Sequence, residues 1–135
     1  MNWNWEDRTD DRSGLQWRWR ETGNHVFIYI PGTDHKDDWN HHKKIGLFEA
    51  ADGIWVTRAD LMLAYDIVKT IGDTNKAIRV GGHSWGGGIT ALLVWIWMQR
   101  GKTVHGWLFG PKQVGNRAFV SETAKNITAI VTGET

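Results

Sequence analysis

The sequence predicts an α/β protein in which helices cover both faces of a mostly parallel sheet, and three observations support this prediction. Strand patterns and helical patterns alternate along the chain. One serine stands between glycines where a strand pattern changes into a helical one. The 135 residues are 41% hydrophobic, which is enough apolar material for one core. We therefore expect residues 1–135 to form a single domain.

The first two strand patterns are expected to form a hairpin. They cover residues 14–20 and 25–30, and a turn-rich link, Glu21-Thr22-Gly23-Asn24, joins them. A loop is predicted from residue 31 to about residue 54. The remaining predicted elements are a helix over 58–71, a strand over 77–80, a helix over 89–98, a strand over 103–109, a helix over 116–125 and a strand over 127–131.

The segment Gly82-His83-Ser84-Trp85-Gly86-Gly87 has the G-x-S-x-G pattern of a nucleophile elbow. So short a pattern also occurs by chance in ordinary loops, but here a strand pattern precedes it and a helical pattern follows. A serine on such a tight turn takes a strained backbone conformation, and side chains two positions away would collide with the neighbouring elements. The pattern therefore predicts that Ser84 projects its hydroxyl outward as a nucleophile.

Composition excludes several classes of function. With 16 basic and 15 acidic residues, the chain gives no electrostatic reason to expect a nucleic-acid partner. The absence of cysteine excludes disulfides, thiolate metal ligands and a cysteine nucleophile. The sequence shows neither a signal peptide nor a transmembrane segment, so we assign a cytoplasmic location by default and leave it otherwise unknown. We expect no cofactor.

Ten tryptophans could indicate a carbohydrate or lipid surface, but the positions of most favour the core. Those at strand positions or in the apolar helical pattern are expected in the core: Trp17, Trp19, Trp95, Trp97 and Trp107. Those in polar surroundings are expected to be exposed anchors or to pack against a partner: Trp3, Trp5 and Trp39.

Three blocks carry a resemblance to a known family. The first is Phe27-Ile28-Tyr29-Ile30-Pro31-Gly32-Thr33 followed by Asp38-Trp39, the second is the elbow, and the third is Phe109-Gly110-Pro111-Lys112-Gln113-Val114-Gly115-Asn116-Arg117-Ala118-Phe119. In content, order and spacing they resemble the class 3, or fungal-type, lipases of the α/β-hydrolase fold. The resemblance extends from about residue 14 to residue 135.

Four positions depart from that family's usual residues. Pro31 stands where arginine is common, Trp85 where leucine is usual and Lys112 where proline is usual. Arg58 lies near the position where the family often has a histidine. These departures indicate a distant member.

The resemblance implies roles for residues around the elbow. An oxyanion formed by attack of Ser84 on an ester needs two backbone N–H donors, and the residue after the nucleophile, Trp85, supplies one. By the resemblance the second donor is Thr33, although Pro31-Gly32-Thr33 also suits a simple turn.

The segment from Asp34 to Gly46 corresponds, by the same resemblance, to the lid over the active site. Its polarity is poor for burial in lipid, so we expect Trp39 to be its single substrate-facing anchor and water-soluble esters to be substrates. The histidines His35, His41 and His42 and the nearby aspartates match no zinc signature, and we expect a solvated loop and no metal.

The rest of the catalytic triad is missing after Ser84. In this fold the order is serine, acid, histidine, and the only later histidine, His105, lies in the next strand. By the resemblance the chain stops in the turn that carries the catalytic aspartate. Glu134 could serve as the acid, but a base would still be needed. The sequence thus indicates an α/β-hydrolase domain truncated at its C-terminal side.

Four explanations stay open: a fragment, a split gene, a decayed pseudoenzyme, or an assembly completed by another chain. One functional class is a serine ester hydrolase acting on an ester or lipid through an acyl-enzyme on Ser84. The alternative is a non-catalytic binding or assembly module, in a homo-oligomer or with a completing chain.

Overall fold

The computed structural model describes residues 5–10, 13–32 and 46–130. In chain order its elements are β1 (Glu6–Thr9), β2 (Gln16–Glu21), β3 (His25–Ile30), β4 (Leu47–Ala51), β5 (Ile54–Thr57), α1 (Arg58–Ile71), β6 (Ala77–His83), α2 (Trp85–Gln99), β7 (Val104–Phe109), α3 (Arg117–Thr123), a 3-10 turn (Ala124–Asn126) and β8 (Ile127–Ile130).

Within the described ranges, one sheet has the strand order β1-β2-β3-β6-β7-β8, and β4 and β5 form a separate hairpin. The strands β3, β6, β7 and β8 are parallel neighbours, whereas β1 and β2 add antiparallel pairs at one edge. Register places Ile28 opposite Val80, and Val80 opposite Gly106. The predicted mostly parallel sheet and the β2–β3 hairpin are confirmed.

All three described helices lie on one face of this sheet. Helix α2 packs over β6 and β7, and Gly106 is needed there because a Cβ on it would lie 2.7 Å from a Val94 methyl. Helices α1 and α3 pack beside α2 in the same layer. The opposite face carries Phe27 and Trp107, which are half-buried, and the Arg79 guanidinium lies 5.9 Å from the Trp107 ring centre. Within the described residues, the predicted helical cover is therefore present on one face.

Helix α2 forms the centre of the core. Every residue from Trp85 to Trp97 is buried, because sheet, α1 and α3 surround the helix on three sides. Trp17, Trp95 and Trp97 are buried as predicted, while Trp19, Trp107 and Trp5 are half-buried. Trp3 and Trp39 lie outside the described residues. No helix in these ranges is both long enough and apolar enough to cross a bilayer.

Three features differ from the sequence-based expectation. All four residues of strand β1 are exposed and polar, so the strand has no apolar alternation and forms through backbone pairing with β2. The predicted loop to residue 54 contains the strand β4 and, at its end, the start of β5, joined at Gly53 with φ of 75°. Helix α2 also starts at Trp85, four residues earlier than predicted, since its glycine run is held by tertiary packing.

Candidate active site

Ser84 occupies the turn between β6 and α2 in a strained conformation. Its φ and ψ are 55° and −117°, and it is the one non-glycine with positive φ among the described residues. Such a conformation costs about 1–3 kcal/mol and persists only where the surroundings impose it. The Ser84 N–H donates to the Phe109 carbonyl at 3.0 Å, and the Ser84 carbonyl accepts from the N–H groups of Gly88 at 3.2 Å and Lys112 at 3.0 Å. The elbow is thus bonded to both β7 and the segment after it.

The glycines of the motif allow backbones to meet without side chains between them. A Cβ on Gly82 would overlap with the Gly86 carbonyl group and lie 2.6 Å from the Thr90 hydroxyl oxygen. A Cβ on Gly86 would overlap with the carbonyl oxygen of Ile30 in β3. The spacing of the motif therefore follows from the close approach of β3, β6 and α2.

Gly32 brings the end of β3 directly against the elbow. A Cβ on Gly32 would lie 2.7 Å from the His83 carbonyl oxygen and 3.1 Å from the Ser84 Cβ. The chain immediately before Thr33 therefore passes beside Ser84. Thr33 itself lies outside the described residues, so its role as an oxyanion donor stays a prediction.

Trp85 is buried beneath the elbow and is bonded to a buried acid. Its side chain is 2% exposed, and its indole N–H donates to Asp60 Oδ1 at 2.8 Å. Asp60 is 0% exposed and also accepts from the Thr57 hydroxyl at the start of α1. Asp60 is not among the residues predicted from the sequence; the available signal was a carboxylate at the helical spacing of the buried Ala64 and Ile67.

The described histidines do not complete a triad with Ser84. In β7, Phe109 is the residue that pairs with His83 beside the elbow. His105 lies four residues earlier in the same strand, which places it roughly 13 Å from the elbow along the strand direction. Its Nε2 lies 2.9 Å from the Thr128 hydroxyl, and its ring packs 4.6 Å from that of Trp107. His83, the residue before Ser84, is exposed.

Several remaining candidates fall outside the described residues: Trp39, His35, His41, His42 and Glu134. Within residues 5–10, 13–32 and 46–130, no three histidine, aspartate or glutamate side chains converge as a metal site would require. The geometry around Ser84 combines a strained serine with the N-terminus of the helix that follows it.

Comparison with solved structures finds proteins with a similar fold. The fold is similar to that of a lipase from Rhizopus microsporus var. chinensis, with a TM-score of 0.71 and 18% identity, over 93% of this chain and 51% of that one. It is also similar to a triacylglycerol lipase from Penicillium expansum, with a TM-score of 0.62 and 12% identity, over 93% of this chain and 56% of that one.

The protein therefore has part of the α/β-hydrolase fold found in fungal lipases. It spans about half the length of these two structures. Its sequence matches no family model and no curated protein.

Proposed function

We propose that this chain carries the nucleophile of a lipase-type serine ester hydrolase, with Ser84 as the attacking residue. The observation that carries the proposal is the positive φ of Ser84 at a strand-to-helix turn, because such strain is retained where it exposes a nucleophile. The fold shared with two lipases supports the same reaction class.

In the proposed reaction, Ser84 Oγ forms a bond to the ester carbonyl carbon while a base takes the hydroxyl proton. The base returns that proton to the leaving alkoxide, which departs as an alcohol, and water then hydrolyses the acyl-serine. The backbone N–H of Trp85, at the N-terminus of α2, stabilises the oxyanion, and the positive end of the helix dipole adds to this stabilisation. Thr33 is proposed as the second donor and Trp39 as a substrate contact.

The proposed base comes from outside the described residues. A serine without an adjacent base is a poor nucleophile at neutral pH, and His105 is too far down β7 to assist. We assign this part to a further segment or a second chain, since the protein spans about half the length of the two lipases. The histidines His35, His41 and His42 are the other candidates in the sequence.

A fluorophosphonate probe tests the assignment of the nucleophile. We expect covalent labelling that maps to Ser84 and disappears in Ser84→Ala, at a rate slower than that of a complete triad where no base lies beside the serine. Ser121→Ala is the matched control, because Ser121 is exposed on α3 and should leave labelling unchanged. No labelling of the wild-type protein, or labelling that persists in Ser84→Ala, would contradict the proposal.

The alternative function is a binding or assembly module, and the β8 side of the molecule favours it. Among the described strands β8 pairs only with β7, and Ile130 is 44% exposed. An apolar cavity of about 330 Å³ lies between α3, β7 and β8, lined by residues that include Leu108, Phe119 and Ile127. Unpaired strand edges favour pairing with another chain. A dimeric mass in solution that Ile130→Lys converts to a monomeric mass would support this alternative.

A further inference from the structure

Asp60 is a buried acid that the proposed reaction does not use. It lies in the first turn of α1 with 0% exposure, and burial of a carboxylate is costly unless hydrogen bonds compensate. Its two oxygens accept from two different elements, Oδ1 from the Trp85 indole and Oδ2 from the Thr57 hydroxyl. An apolar side chain would fill the same helix face without this cost.

The contacts of Asp60 belong to a closed ring around the elbow. From Asp60 the ring passes to Thr57, whose N–H donates to the Val114 carbonyl at 2.8 Å. Two residues before Val114, the Lys112 N–H donates to the Ser84 carbonyl at 3.0 Å. Trp85, the residue after Ser84, closes the ring because its indole N–H donates a hydrogen bond to Asp60 at 2.8 Å. The start of α1, the segment after β7 and the elbow are therefore held in one circuit.

The first turn of α2 needs such an anchor more than most helices do. No side chain caps it, and Trp85 is followed directly by Gly86, Gly87 and Gly88. Glycine has the largest backbone freedom and lowers helix stability, so this turn is not rigid by itself. Trp85 is the residue of that turn with a large side chain, and its indole is the group through which α1 holds it.

We propose that Asp60 is a positioning residue: by holding the Trp85 indole, it fixes the backbone N–H after Ser84 in the direction needed for oxyanion binding. This inference rests on the proposed ester hydrolase function. The side chain of leucine, the residue usual at this position in the resembling family, has no N–H group that could donate to an acid, whereas the Trp85 indole has one.

The main test compares three variants by their rate of fluorophosphonate labelling at Ser84. Asp60→Ala removes the acceptor and should slow labelling about tenfold, a part of the 10²–10³ lost with a whole oxyanion donor. Asp60→Asn should stay within about threefold of wild type, since the amide oxygen still accepts from the indole and the Thr57 hydroxyl can turn to the Val114 carbonyl at 3.3 Å. Ile67→Ala is the control, a buried residue of the same helix away from the elbow.

Trp85→Phe keeps an aromatic ring and removes the indole N–H, so it tests the same bond if Asp60→Ala does not fold. Its labelling should slow to the level of Asp60→Ala, and the double variant should be no slower than either single one, as expected for one shared interaction. Wild-type rates in both Asp60→Ala and Trp85→Phe, or an equal loss in Ile67→Ala, would overturn the proposal.

Amide hydrogen exchange separates this inference from the proposed function. The Ser84 amide donates to the Phe109 carbonyl and the Gly88 amide donates to the Ser84 carbonyl. Asp60→Ala should speed exchange of these two amides by a larger factor than Ile67→Ala does, when the two variants are compared at equal free energy of unfolding. A wild-type protein that never labels refutes the hydrolase function, while equal exchange in the two variants refutes the anchoring by Asp60.

Discussion

The carbonyl oxygen of Ile30 fills the space that a side chain on Gly86 would occupy. Gly86→Ala should therefore push β3 away from the first turn of α2 and lower the free energy of unfolding by about 3 kcal/mol. Urea denaturation measures this loss. The control is Gly23→Ala, because nothing lies within 4 Å of a Cβ at that position and its φ is not positive. Equal stability of the two variants would show that β3 and α2 are not in the close contact described.

The strain at Ser84 predicts an unusual order of stability among its variants. Ser84→Gly should be more stable than Ser84→Ala by about 1 kcal/mol, because glycine adopts a φ of 55° without a Cβ penalty. Denaturant unfolding of both proteins checks the difference. At Ser121 in the middle of α3 the order should reverse, since alanine is the better helix former. Greater stability of Ser84→Ala would mean that the elbow is relaxed.

Asn116 joins the β4–β5 hairpin to α3 and caps that helix. Its Oδ1 accepts from the N–H groups of Phe119 at 3.1 Å and Trp55 at 3.3 Å, and its Nδ2 donates to the Gly53 carbonyl at 2.9 Å. Asn116→Ala should lower the free energy of unfolding by about 1–2 kcal/mol. Asn116→Asp keeps the accepting oxygen and loses only the donor, so thermal unfolding should place it between wild type and Asn116→Ala. An alanine variant as stable as wild type would contradict this capping role.

Local chemistry made the elbow and the parallel strands around it predictable. The spacing of Gly82 and Gly86 reflects a steric need that any sequence with this turn must meet. The motif alone therefore predicts the turn. The buried strands β3 and β7 showed clear apolar patterns because they bury one face against α2. The fold class followed from these elements in order.

Tertiary contacts decided what the sequence did not predict. Strand β4 is mostly exposed, and the irregular register after Glu49 removes any regular alternation. Asp60 looked like an ordinary acid in the first turn of a helix, where acids are common. Its hydrogen bond to the Trp85 indole joins residues 25 positions apart in the sequence, and only the packing of α1 against α2 brings the two side chains together.

The Lys102–Asp73 pair predicts a small dependence of stability on pH away from the elbow. The Lys102 ammonium hydrogen-bonds Asp73 at 2.8 Å and, with its charge and the Thr74 backbone, holds the pKa of that carboxyl below its usual 3.8. A lowered pKa in the folded state means that the stabilising contribution is present above the unfolded pKa and disappears as pH falls through the folded value.

Carboxyl NMR should show the titration midpoint of Asp73 rising toward 3.8 in Lys102→Met, while Lys125→Met leaves that midpoint unchanged. The stability difference between wild type and Lys102→Met should shrink as pH falls below 4 and as salt is added, because Asp73 is exposed and its charge is screened. A midpoint insensitive to Lys102→Met would show that the lysine does not set this pKa.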